Sequence, residues 1–417
     1  MGRLLIGHSR RKPMAWMLLA LPALVALPAK AADNEFSASV DVAAVASNGT
    51  PNFIDNGLGT LRFSSGYQGL QLDNLRLGYH GSLADIVHFT VEAFSYADRA
   101  SNPLDLNEAF VEIRPFPLGA WRSRFKIGAF YAPISMENRL EGWRSAYSMS
   151  PSAINTWIGE ELRTFGAEYD LDWLGRQRGH DWTLSAGAAV FGWNEAAGQL
   201  MSERGWAIHD RQTTVFGKFG NASLLAPVGD ERLLTAEGAN SAGYYVDGTA
   251  KYLDTLELRA LHYDNRADPS AYQAAAYNFP WWTQFNSAGA RWTPTTHWSV
   301  ISQWLGGSTC SDFEDNYYYC WNFDSEYLLL SWQLGPNRIS GRYDRFDMHQ
   351  SVPVYDADGY RDNGHAWMLS YQRDINAHFA VALEFLQVDS DLNERLEFGN
   401  PETAREHEFE LVLRAQL

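Results

Sequence analysis

Apolar and polar residues alternate one for one in segment after segment of this 417-residue chain. A period of two is the signature of strands with one wetted and one apolar face, and no stretch past the N-terminus sustains the 3.6-residue period of a helix. The first run is 35–47, where Phe36, Ala38, Val40, Val42 and Ala44 share one face and Ser37, Ser39 and Asp41 the other. The last is 409–417, where Phe409, Leu411, Leu413, Ala415 and Leu417 alternate with mostly polar neighbours. Comparable runs lie at 75–79, 87–97, 109–115, 125–133, 165–173, 184–192, 244–252, 256–263, 283–292, 298–304, 327–334, 339–343, 367–372 and 379–387, which predicts sixteen strands.

The connections alternate as well. Short links at 81–85, 116–121, 175–181, 254–255, 293–297, 335–337 and 374–378 are each followed, one strand later, by longer polar connections such as 135–162, 265–281, 306–324, 349–363 and 389–405. Short turns on one side and long loops on the other are the layout of an outer-membrane barrel. A further strand at 213–219 would make the count odd and reverse that order, so 195–242 reads as one long external loop. The expected fold is all-β: a transmembrane antiparallel barrel of about sixteen strands, with external loops and periplasmic turns. A periplasmic sandwich or propeller also alternates. Against it stand strands of tilted-crossing length, aromatics near strand ends (Tyr79, Tyr131, Trp173, Trp292, Trp332, Tyr371) and the apolar alternation that closes the chain.

Composition agrees with this reading. With 16 Trp, 20 Tyr and 22 Phe the chain is too aromatic for disorder, and a net charge of -17 argues against a nucleic-acid partner. A mean hydropathy of -0.32 looks soluble, but only every second strand residue of a barrel faces lipid. Residues 1–31 read as an export signal: Arg3, Arg10, Arg11 and Lys12, an apolar run at 14–29, then Ala29-Lys30-Ala31. Pro22 and Pro28 interrupt that run and disfavour a retained anchor. Lys12 and Pro13 break the twin-arginine pattern, so Sec export is expected. Residues 32–417 then form a single barrel domain in the outer membrane of a Gram-negative bacterium. Removing 1–31 takes five cations and no acids, lowering the formal charge from -17 to -22, and leaves Lys126, Lys218 and Lys251 as the only lysines.

Several segments resemble the phosphate-selective porin O and P family. They are Glu108-Ala-Phe-Val-Glu-Ile-Arg114, Phe125-Lys-Ile-Gly-Ala-Phe-Tyr-Ala-Pro133, the long loop ending Arg163-Thr-Phe-Gly166, then Trp367-Met-Leu-Ser-Tyr371 and the final strand. The resemblance implies a sixteen-stranded general or anion-preferring porin, often a homotrimer. Two departures stand out. Phosphate-selective members line the pore with many lysines, where this chain keeps three, and the chain ends in Leu417 rather than Phe.

If the apolar face of each strand meets lipid, the inward set includes Arg76, Glu92, Glu112, Arg114, Arg124, Lys126, Glu168, Lys251, Arg259, Arg291, Arg342, Glu384 and Arg414, with Asp170, Asp247, Glu257, Asp344 and Glu410. These are the pore-lining candidates, although cross-strand pairing that merely keeps the lumen wet needs the same residues. The loop 135–162 carries Glu137, Arg139, Glu141, Arg144, Glu160 and Glu161 among Trp143, Tyr147 and Trp157. It either folds inward as a charged constriction or packs on the rim.

Cys310 and Cys320 are expected to form a disulfide stapling an external loop. Tyr277, Phe279, Trp281, Trp282, Tyr317, Tyr318, Tyr319 and Trp321 either stack sugars or pack their loops. Asp312, Glu314, Asp315, Asp356, Asp358 and Asp362 suit solvation or ion bridging to lipopolysaccharide. His80 and His88 point inward without a spaced serine, and no catalytic or phosphate-loop signature occurs. No enzyme activity, cofactor or metal is expected. The expected function is passive diffusion of small hydrophilic solutes or ions. The other reading is a binding, adhesion or envelope-structural barrel plugged by 195–242.

Overall fold

The computed structural model describes residues 34–52, 54, 57–83, 85–97, 103–192, 198–217, 242–269, 280–312, 318–351 and 359–417. The expected signal, 1–31, lies outside them. Sixteen antiparallel strands form the wall: β1 (Glu35–Ser47), β2 (Gly69–Leu83), β3 (Val87–Tyr96), β4 (Asp105–Ile113), β5 (Trp121–Tyr131), β6 (Arg163–Leu174), β7 (Trp182–Gly192), β8 (Gly243–Tyr252), β9 (Leu256–Asp264), β10 (Trp282–Thr295), β11 (Trp298–Asp312), β12 (Tyr318–Leu334), β13 (Asn337–Gln350), β14 (Arg361–Asp374), β15 (Phe379–Leu392) and β16 (Thr403–Gln416). Each pairs with its sequence neighbour, and β1 pairs with β16 to close the barrel. Closure leaves no strand edge unpaired, which a sheet in lipid requires.

The alternation read from the sequence sorts residues between the two faces. Leu77, Ile127, Leu171, Leu184, Val190, Leu258, Leu328, Leu369, Phe385, Leu411 and Leu413 stand exposed on the outer surface, a band that lipid accommodates and water does not. Exposed Trp121, Trp182, Trp292 and Trp298 sit toward the short-turn end, where Trp298 meets Trp332 across the strand pair. The predicted girdle residue Tyr131 is a correction. At the end of β5 its ring turns inward, stacks on Trp143 at 4.5 Å and is buried.

A bulge in β2 opposite Asp41 and Val42 shifts the parity. Leu70 and Leu72 face out before it and Leu77 after it, so Asp73 turns into the barrel. Several strands also run farther than expected. The segment 306–324, read as an external loop, is mostly wall, because β11 reaches Asp312 and β12 starts at Tyr318. Cys310 and Cys320 face each other in register and form the expected disulfide, which therefore ties wall strands rather than a free loop.

Two long-side connections fold into the barrel. Loop A, 132–162, carries a small ribbon (Asn138–Leu140 with Arg144–Ser145) and helix α1 (Ala153–Glu161), capped by Ser152. Loop B enters through 198–217, with helix α2 (Gln199–Arg204). Their apolar side chains join the inward faces of β7 to β15 in one buried cluster that fills this part of the lumen.

Candidate functional site: the lumen and its two infolded loops

Loop A is held by wall charges placed by the two-residue period. After β5, Arg259 donates to the Pro133 carbonyl at 2.8 Å and Gln303 brackets the loop from β11, accepting from Met136 N and donating to Ile134 O, both at 3.1 Å. Arg139 then forms a two-bond pair with Glu257 on β9, at 2.8 and 2.9 Å. At the loop tip Glu141 takes hydrogen bonds from Arg76 on β2 and Ser37 on β1. On the return, Glu384 of β15 accepts Met149 N at 2.7 Å and Ser150 N at 2.9 Å. Arg342 of β13 donates to the carbonyls of Ser150 and Pro151 at 2.7 and 2.9 Å. The loop therefore touches strands on opposite sides of the barrel.

The constriction candidates separate by role. Glu137 is fully buried, accepting Ser152 N at 2.7 Å and Asn155 at 2.8 Å, with Arg342 at 3.4 Å; it fixes the start of α1 and does not face a pathway. Arg139 and Glu141 pin the loop to the wall. The Arg144 Nε donates to the Glu141 carbonyl. Desolvation, then Arg414 and Arg76, push the Arg144 guanidinium down to about 10. Burial raises the Glu141 carboxyl, but Arg76 outweighs it and leaves the group below its ordinary range. Glu160 is buried and paired with Arg204 of loop B. Trp143, Tyr147 and Trp157 are buried, so the rim-packed alternative for this loop is overturned. The Glu161 side chain lies outside the described residues.

Loop B lies over loop A. Trp206 donates its backbone N–H to Asp362 at 2.5 Å and its indole N–H to the Asp347 carbonyl at 3.2 Å. Ile208 N reaches Thr60 O, Gln212 donates to the carbonyls of Gly142 and Trp143, and Val215 N reaches Leu106 O at 2.7 Å. The segment thus runs from β13 and β14 to β4. Reading 195–242 as external is corrected for 198–217, whose residues are nearly all buried. The physical cause is its apolar content: Leu200, Met201, Trp206, Ile208 and Val215 gain by leaving water. Residues 195–197 and 218–241 lie outside the described residues.

Toward the short turns the inner wall is polar and charged. Register neighbours pair as Arg122 with Asp172, Arg124 with Asp170 and Lys126 with Glu168, at 2.7 to 2.8 Å. Glu257 gathers Arg139, Arg259 and Arg291, and Lys251 lies opposite it in register. Arg414 pairs with Asp41, Arg76 with Glu92, Arg114 with Glu112, and Arg342 with Asp344. All the pore-lining candidates therefore stand on the lumen side, mostly in cross-strand pairs. A cavity of about 310 Å³, bounded by Asp41, Asn74, Arg144, Arg338, Gln372 and Arg414, lies beneath loop A. Asp247, Asp170 and Glu410 also face inward.

Sequence reasoning missed Asp41, Arg122, Asp172 and Asp73. The first three obey the same alternation and were legible, whereas the bulge hid Asp73. The surface acids are corrected where described: Asp312 and Asp362 are buried, and Asp362 anchors Trp206. Glu314, Asp315, Asp356 and Asp358 lie outside the described residues, as do Tyr277, Phe279 and Tyr317, and the side chain of Tyr318. Trp281 and Trp321 are buried against each other at 5.2 Å, which leaves no open stacking platform at that pair.

No protein-family profile matches the chain, and no curated protein matches it. Solved structures do. The anion-selective porin from Comamonas acidovorans superposes with a TM-score of 0.52 at 12% identity, over 93% of this chain and 100% of that one. The outer membrane channel DcaP of Acinetobacter baumannii gives 0.53 at 10% identity, over 94% and 99%. Salmonella typhi OmpF, in complex with daunomycin, gives 0.54 at 10% identity, over 92% and 97%. At these identities the likeness is one of fold: a closed sixteen-strand barrel of the porin type.

Proposed function

We propose that the protein is a porin-type channel of a Gram-negative outer membrane, passing small hydrophilic solutes or ions passively along a lumen narrowed by loops A and B. The observation that carries this is the inner wall of paired arginines and carboxylates beneath an inward-folded loop that those same charges hold. A wet, charged lumen costs a hydrated solute little desolvation, and the width left by the loops sets what passes. The apolar outer band and the N-terminal export signal support the location, lipid and lipopolysaccharide being the surrounding partners. A homotrimer and the absence of any catalytic step belong to the same proposal. The sequence resemblance to phosphate-selective porins is backed by no family profile, and a mature chain with three lysines gives no basis for phosphate selectivity.

A second reading, a closed barrel with a binding or structural role, is favoured by the dry contact of Trp157 with Trp206, Phe285 and Phe323 inside the lumen. Swelling of proteoliposomes in neutral solutes of graded size separates the two. The channel reading expects uptake of the smallest solutes and exclusion of disaccharides. No uptake of any solute would favour the closed barrel.

A further inference from the structure

Where the tip of loop A meets the wall, three metal-ligating side chains from three separate elements converge: His80 of β2, Glu92 of β3 and Glu141 of loop A. His80 Nε2 is 3.0 Å from Glu92 Oε1 and 3.7 Å from Glu141 Oε1, and the three donor atoms all lie within 4.8 Å of one another. Donors held about 2.0–2.2 Å from a tetrahedral zinc ion sit about 3.3–3.6 Å apart, so this spacing is close to that of a ligand set.

The surroundings are arranged as a supporting shell. His80 Nδ1 is 3.2 Å from the Thr90 hydroxyl, so an Nδ1–H donating there leaves the Nε2 lone pair facing two carboxylates. In this tautomer a cation between the lone pair and the two anionic oxygens relieves their repulsion; in the other, Nε2–H donates to Glu92 Oε1 at 3.0 Å. Arg76 clamps both oxygens of Glu92, Oε2 at 2.8 Å and Oε1 at 2.9 Å, and binds Glu141 Oε2, so that Glu141 Oε1 and the second lone pair of Glu92 Oε1 are left for the side of the imidazole. Ser37 adds a hydrogen bond to Glu141 Oε2 at 3.2 Å. Gly78, between Arg76 and His80, keeps the space open: a Cβ there would come within 2.5 to 2.9 Å of Ser37, Arg76 and Glu92. The carboxylates contribute two negative charges and Arg76 one positive, so with a neutral imidazole the group carries a net negative charge. Glu92 is buried, while His80 and Glu141 stay partly open to the lumen.

We infer that His80, Glu92 and Glu141 form a binding site for a zinc-class divalent metal ion, with the fourth position open to the lumen and Arg76 orienting both carboxylates. The ion would bind loop A to β2 and β3, making the position of the loop tip depend on metal. One imidazole with two carboxylates and no thiolate suits zinc over calcium, which takes six or more oxygens. This inference does not depend on whether the barrel conducts.

The test is calorimetric titration of the folded, detergent-solubilised full chain with zinc chloride, and with calcium chloride alongside. Wild type is expected to bind one zinc ion that calcium does not displace. His80→Asn and Glu141→Gln should each weaken that binding at least tenfold, while His88→Asn, on the same wall outside the cluster, leaves it unchanged. Heat-modifiable gel migration identifies folded variants, and Glu141→Gln, on the loop, serves if the strand variant fails to assemble. Equal zinc binding by wild type and Glu141→Gln, no zinc binding by wild type, or equal competition by calcium would each overturn the inference. In those cases a proton on His80 is the cation that bridges the carboxylates.

Discussion

Trp157 on helix α1 and Trp206 on loop B meet edge to face inside the barrel, their ring centroids 6.2 Å apart. Each comes from a different connection, so the contact locks loop B over loop A, and both rings are almost wholly buried. A porin-type wall is thus combined with an interior packed, on one side, like a soluble core.

Trp206→Ala removes loop B's half of that lock. Truncating a buried tryptophan costs about 3–5 kcal/mol. The wall meets the Trp206 ring through Phe323 and Phe346, and the Asp347 carbonyl accepts from its indole N–H. The expected result is an intact barrel by heat-modifiable migration, with residues 198–217 newly open to protease. An unchanged digestion pattern would show that Trp206 does not hold the loop.

Charge reversal at Arg139 and Arg144 alters the lumen where loop A carries its cations. Arg139 reverses into Glu257 and releases the loop, and Arg144 lines the cavity beneath it. Reversal potentials in a salt gradient should shift toward cation preference. Unchanged selectivity would remove both residues from the pathway.

Acid should loosen loop B. His209 is buried, and desolvation, then Arg204, Arg211 and Arg62, hold its imidazole well below the ordinary value. Glu160 Oε1 stands 3.0 Å from its Nε2, but the carboxylate is already paired with Arg204. A released loop regains a histidine pKa of about 6.5, so protons favour release and the packed state loses stability as pH falls below about 6.5. Protease access to 198–217 is expected to rise between neutral and acid pH in wild type and to stay flat in His209→Asn.

The disulfide joins strands already paired in register, so its loss should not alter the pathway. Replacing both cysteines by serine frees a nine-residue connection, for which loop-closure entropy gives about 2–3 kcal/mol. Thermal unfolding of the double variant should come earlier, with solute uptake unchanged.

Most of the wall was legible because alternation is a direct consequence of facing lipid on one side and water on the other. That Arg124, Lys126, Glu168 and Asp170 face inward follows from it, whereas the register that sets Arg124 opposite Asp170 and Lys126 opposite Glu168 comes from the strand pairing. Three things were not legible. The bulge beside Asp41 reverses parity for Asp73, and nothing local in the sequence marks it. Tyr131 ends its strand like a girdle residue, but its ring is drawn inward by Trp143, Asn107 and Arg163, which lie far away in the chain. The infolding of 198–217 left one trace, the unusual apolar content of a supposed external loop, and the even strand count masked its meaning.

Single-channel conductance in planar bilayers, compared between wild type and a variant with residues 198–217 replaced by a short glycine-serine linker, tests the central claim most directly. A channel narrowed by two infolded loops predicts small steps from wild type and steps several-fold larger from the variant. Equal conductance in the two, or no steps from either, would contradict it.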